Sequence, residues 1–339
     1  MLAPLISGFV SPVSWRWTFW VGLIVAGISF IFMLTIPETY GPTLLQRRAK
    51  RLRRERNNPH ILSPLDLEKK GAKQMITVVL MRPLNMIAFE AIVLFTCLYL
   101  SLAYAIFYLF FEAYPIIFMG LYKFSAGVSG FAFLPMLSGA FIGLFVFLYY
   151  DVVLRKAQNA HKEWAAIEEN RRLPLACLGG PLYVISLFWL GWTARLDVHW
   201  IVPMLAGVPF GMGFMLIFMA LLNYVTDAYE IYSASAMAAT SLCRSIFGAL
   251  LPLGAKPMYQ RLGISWASSL LGFLSLAMTV IPFVFIRYGD RIRANSRFCN
   301  ELKARKEEAR MEKESQKGPQ VHSEDASDVE EKRKESSID

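Results

Sequence analysis

What constrains this chain most is its long runs without charge. Windows of about 20 apolar residues with at most one ionisable group extend from Trp17 to Ile36, Met86 to Phe111, Phe124 to Tyr149, Leu173 to Thr193, Val198 to Asn223, Ser233 to Leu253 and Ile264 to Ile286. Each is long enough to cross the hydrocarbon of a bilayer as a helix. No water is available there to satisfy backbone groups, so such segments close their hydrogen bonds internally as helices. The expected fold class is all-α integral membrane. A further apolar stretch, Leu2 to Val13, covers about half a span and reads as the end of a helix.

Charge fixes the expected orientation. Arg47, Arg48, Lys50, Arg51, Arg53, Arg54, Arg56, Lys69, Lys70, Lys73 and Arg82 crowd the segment between the first two spans, whereas the next connection holds only Lys123. Cytoplasmic loops carry the excess of Lys and Arg, so this central loop, residues 37–84, and the basic C-terminus belong inside. The formal charge of +9 is then a topological mark and not a sign of nucleic-acid binding. Cys97, Cys177, Cys243 and Cys299 have no paired spacing, and His60, His161, His199 and His322 form no cluster. Neither a disulfide framework, a metal site, a cofactor motif nor a hydrolase nucleophile is expected, which argues against an enzyme.

Four divisions follow: residues 1–36 ahead of the central loop, the loop itself at 37–84, a six-helix bundle at 85–293, and a charged tail at 294–339. The six later spans split into two three-span units, 85–193 and 198–287, that open in opposite directions, an inverted-repeat arrangement of secondary transporters. The tail, rich in Lys, Glu and Ser, predicts disorder with a short helix over Glu301 to Lys313. Gly139/Gly143 and Gly207/Gly211, at GxxxG spacing, predict close helix packing.

Several motifs carry a family resemblance: Ser14-Trp15-Arg16-Trp17-Thr18-Phe19-Trp20, Pro37-Glu38-Thr39-Tyr40-Gly41-Pro42 before the basic run, and Tyr108-Leu109-Phe110-Phe111-Glu112-Ala113-Tyr114-Pro115. Downstream come Gly179-Gly180-Pro181, Phe188-Trp189-Leu190-Gly191-Trp192-Thr193, Asn223-Tyr224 with Asp227-Ala228-Tyr229, and Arg244-Ser245 with Phe247-Gly248-Ala249. In order and spacing this set resembles fungal drug:proton antiporters of the major facilitator superfamily, the branch with polyamine and multidrug exporters. The resemblance implies a C-terminal six-helix half plus the end of an N-terminal half, whose fifth helix is represented by Pro4 and Gly8. It implies proton-coupled export of small organic cations or drugs across the plasma membrane. The first four helices of the family pattern have no counterpart here, so a complete pump is expected to need an N-terminal half as partner. The alternative is a truncated, non-transporting remnant or partner protein of such a transporter.

Ionisable groups inside spans cost about 2.5 to 3.5 kcal/mol each at mid-membrane and are functional candidates by default. Arg244 reads as a contact for an anionic substrate group, for a carboxylate of the N-terminal half or for a helix C-terminus, and equally as a hydrogen-bonding hub between helices. Glu90, near the inner face, reads as a gate or an anchor reaching headgroups or Arg82. Tyr104, Phe107, Tyr108 and Phe111 recur at i, i+3, i+4 and i+7, a stripe suited to stacking planar drugs, to holding ammonium groups by cation–π contact, or to packing. Glu112 and Asp227 sit at span ends. On the resemblance, Tyr104, Tyr108, Glu112, Asn223 and Arg244 line a substrate cavity. Asp151 and Arg155, at i and i+4, resemble an inner gating motif and equally a surface ion pair.

Overall fold

The computed structural model describes residues 2–63, 66, 72–166, 168–296, 298–305, 307–308 and 310–311. These residues form helices and connecting turns, with no strand among the described residues. A short helix α1 (Leu2–Val10) precedes α2 (Trp15–Thr35), whose N-terminus is capped by the Ser14 hydroxyl accepting from the Arg16 N–H. The basic loop contains an amphipathic helix, α3 (Gly41–Arg56), which begins with Pro at the first turn and ends at Asn57 in the left-handed region. Asp66 holds it in place: the Gln46 amide donates to its carboxylate at 3.1 Å, the Ser63 N–H at 3.2 Å, and Arg53 pairs with it. Those donors, Gln46 first, hold the Asp66 carboxyl below the usual carboxylate range.

The bundle follows. Helix α4 (Ala72–Phe89) breaks at Glu90, whose extended backbone opens α5 (Ala91–Tyr114). Pro115, which lacks an N–H, turns α5 into a π-helical extension over Pro115–Leu121. A short helix α6 (Ala126–Phe131) leads into α7 (Leu134–Asn159), and α8 (Glu168–Thr193) returns. Then come α9 (Ile201–Leu205), α10 (Gly207–Tyr229), α11 (Ser233–Leu253) and α12 (Ala255–Ala294). Residues 201–253 form one apolar helical stretch of 53 residues. At about 1.5 Å per residue it would be more than twice the hydrocarbon thickness, and it is broken at Glu230, φ 33° and ψ −96°. It therefore makes two passes, which restores the seven anticipated spans. Gly263, at φ 75°, makes a second such break inside α12.

Glycine packing holds the bundle together. A Cβ at Gly139 would lie 2.0 Å from the Val208 carbonyl oxygen, and one at Gly211 2.0 Å from that of Met136. The close helix packing expected from the GxxxG spacing is present, and the structure adds that the two pairs face each other across α7 and α10.

Order also reaches further than composition suggested. A helix at 298–305 follows α12, with Cys299 and Leu302 buried and Phe298 packed against the core, because these three residues make an apolar stripe within a charged segment. The rest of the expected Glu301 to Lys313 helix is helical where described, and the remaining tail lies outside the described residues.

Candidate functional site

The aromatic stripe of α5 meets a cation at mid-span. Helix α11 brings Arg244, near its middle, over the ring of Tyr104 at 5.0 Å, and α10 adds Phe218 at 5.8 Å from the same guanidinium. Tyr104 and Tyr108 pack edge to face, 4.9 Å between centroids, with their hydroxyls 3.0 Å apart. Phe107 stacks on Phe214 at 4.6 Å. Gly248, one turn beyond Arg244, leaves room for this arrangement, since a Cβ there would stand 2.8 Å from the Tyr104 ring. The one hydrogen bond of the Arg244 side chain among the described residues is a 3.4 Å contact donated to the Ser241 hydroxyl. No described carboxylate pairs with it. Cation–π contact is worth about 0.5 to 2 kcal/mol, less than the cost of a bare guanidinium at mid-membrane.

The other expected cavity residues are less tightly drawn together. Glu112 is exposed on the Tyr104–Tyr108 face of α5, one turn beyond Tyr108. Asn223 turns its amide back onto its own helix, donating to the Met219 carbonyl at 2.6 Å, with no described bond to the Arg244 cluster.

At the opposite end of the bundle, charge is paired. Arg172 of α8 reaches Asp151 of α7 at 3.4 Å and Asp227 of α10 at 3.2 Å, while Arg155 pairs with Asp151 at 2.7 Å. These residues line a cavity of about 510 Å³ together with Arg171 and Glu230. Sequence reading paired Asp151 with Arg155 and found Asp227 separately. It missed Arg172, the residue that ties three helices, because a basic residue at a span end looks like a topology mark.

Glu90 is 2% exposed, and its partners differ from those anticipated. The Tyr229 hydroxyl donates to it at 2.9 Å and the Phe298 N–H at 3.4 Å, while Arg82 lies over the ring of Tyr232 at 5.1 Å. Helix 298–305 covers the position and supplies the donor, so headgroups and Arg82 are not its partners. Pro4 and Gly8 press α1 onto α6, where a Cβ at Gly8 would lie 2.7 Å from the Ala126 carbonyl oxygen. Beside this contact a largely apolar cavity of about 950 Å³ is lined by Ser7, Val21, Phe111, Pro115, Met119 and Phe133, among others.

Comparison with known proteins gives a consistent picture. The sequence profile of the Major Facilitator Superfamily matches residues 1–252. The chain is 40% identical over 306 residues to the ascochitine biosynthesis cluster MFS transporter of Didymella fabae, covering 89% of this chain and 59% of that protein. It is 42% identical over 302 residues to the citrinin biosynthesis cluster MFS transporter of Monascus ruber, covering 88% and 60%. An MFS-type efflux pump of Trichophyton rubrum is 39% identical over 293 residues, covering 86% and 49%. The chain therefore spans between about half and three fifths of the length of these relatives. No solved structure matches it.

Proposed function

We propose that this chain, which belongs to the Major Facilitator Superfamily, works in the export of small organic molecules across the fungal plasma membrane, driven by the proton gradient. The observation that carries the reading is the Arg244–Tyr104–Tyr108–Phe218 cluster at mid-span, where a secondary transporter binds its cargo. Among the relatives, two are transporters of biosynthesis clusters and one is an efflux pump, which supports the outward direction. Asp151, Arg155, Arg172 and Asp227 would close the inner end by holding α7, α8 and α10 together. Pro4 and Gly8 would form part of the contact between the two halves of the transporter. The central loop and C-terminus would face the cytoplasm.

Cells expressing this chain together with an N-terminal half, and preloaded with a fluorescent aromatic compound, should lose it faster than control cells, and a protonophore should remove the difference. Equal loss in both, at verified surface abundance, overturns the export reading. Membrane-impermeant thiol labelling of Asn58→Cys from outside should fail on intact cells and succeed after permeabilisation.

A further inference from the structure

We infer that the mid-span cluster selects a planar aromatic molecule bearing a negative charge, with Arg244 as its counter-ion and Tyr104, Tyr108 and Phe218 as its stacking surface. This rests on the export reading above and narrows its substrate. The family resemblance implied organic cations or drugs. The geometry points away from cations.

Arg244 is a fixed positive charge at the centre of the site. Its face rests on Tyr104 at 5.0 Å, and Phe218 lies 5.8 Å away, so the rings that would otherwise cradle an ammonium already hold a cation. A second cation in the same place meets a like charge across poorly screened space. The guanidinium fork, by contrast, is hardly used among the described residues: of its five donors one makes a 3.4 Å contact to Ser241. Donors in this planar arrangement fit a carboxylate in two parallel hydrogen bonds. The nearest acidic side chain on this face of α5 is Glu112, eight residues beyond Tyr104, about 12 Å along the helix axis, so it does not neutralise Arg244. Beside the guanidinium, the exposed Tyr108 ring and the paired hydroxyls 3.0 Å apart offer a flat surface and polar edges to an aromatic body. Gly248 secures the geometry, because a side chain there would displace the Tyr104 ring on which Arg244 rests. An anion on an aromatic frame satisfies both halves of the site at once.

The test is equilibrium dialysis of the full chain in lipid nanodiscs against three matched probes, 2-naphthoate, 2-naphthamide and 2-naphthylmethylammonium, with empty nanodiscs as the partition control. Naphthoate should bind roughly tenfold or more tighter than either partner. Arg244→Gln should erase that preference while leaving weak binding of naphthamide. Tyr108→Leu should weaken all three probes together. Size-exclusion profile and thermal midpoint of each variant check that it is folded. Preference for the ammonium probe, lost on Glu112→Gln, overturns the anion assignment while the export reading survives. An anion preference unchanged in folded Arg244→Gln also overturns it. If none of the three binds above empty nanodiscs, the site itself is refuted, and the export reading loses the observation that carries it.

Discussion

Arg172 and Arg244 belong to the same bundle, yet among the described residues only Arg172 meets a carboxylate. Arg172 lies between two carboxylates on neighbouring helices, Asp151 and Asp227, whereas Arg244 rests on aromatic faces with its donors almost unused. Glu90 falls with Arg172, since its carboxylate accepts from Tyr229 and from the Phe298 backbone and so joins three parts of the chain. A charge whose partners are all internal holds helices together. A charge left without a counter-ion in an apolar setting is costly unless something from outside completes it.

Substitutions can break this contrast. The largest effect belongs to Arg244: Arg244→Ala should lower transport by about a hundredfold, near 2.7 kcal/mol, with surface abundance close to wild type. Arg244→Lys should lose most of the activity as well, because an ammonium cannot reproduce the planar fork. Efflux rate and abundance, measured on the same cells, decide the matter. A fall in abundance that matches the fall in efflux would make Arg244 another Arg172.

Next comes Glu90→Ala, which strands the Tyr229 hydroxyl and should destabilise the protein by about 1 to 3 kcal/mol. Proteolysis in the folded state should then cut first in 298–305. For Arg172→Ala the expected loss is about 1 to 2 kcal/mol, at the low end because Asp227 is 42% exposed. Arg155→Ala should cost only a few tenths of a kcal/mol, since that side chain is 75% exposed. Thermal midpoints in one detergent would rank the three.

The smallest effect is a pH response at α3. Asp66 has a lowered carboxyl pKa, so its contribution is present above the unfolded carboxylate range and disappears only as pH falls through the lower folded value. Amide protection factors in α3, corrected for the intrinsic fall in exchange rate with pH, should therefore hold steady from pH 7 to pH 5. Loss of protection within that interval would show that Asp66 does not hold the helix.

Spans, helix class and close packing at each glycine pair were legible in the sequence because the bilayer writes them as length, hydropathy and small-residue spacing, whereas the facing of the two pairs was not. The aromatic stripe and Arg244 were visible singly for the same reason. Their meeting was not, since it depends on how α10 and α11 pack against α5, over a hundred residues apart in sequence, and periodicity reports one helix at a time. Helix 298–305 was harder still. Its net composition is that of a solvated tail, and only the spacing of Phe298, Cys299 and Leu302 marks a buried side. The helix in the basic loop escaped notice because positive charge dominates its composition, while its fixing point, Asp66, stands ten residues beyond its end.

The glycine contact between α7 and α10 has a mechanical corollary. With carbonyl oxygens lying where a Cβ would sit at 2.0 Å, the two helices touch through their main chains and have no side-chain cushion along which to shear. They must travel as a single plank. Helices α5 and α11, by contrast, meet through deformable groups such as the Tyr104 ring against Gly248 and the Cys97 thiol 3.6 Å from the Thr240 hydroxyl. Breathing of the bundle is therefore easier between α5 and α11, next to the stacking surface, to which the rigid pair contributes Phe218.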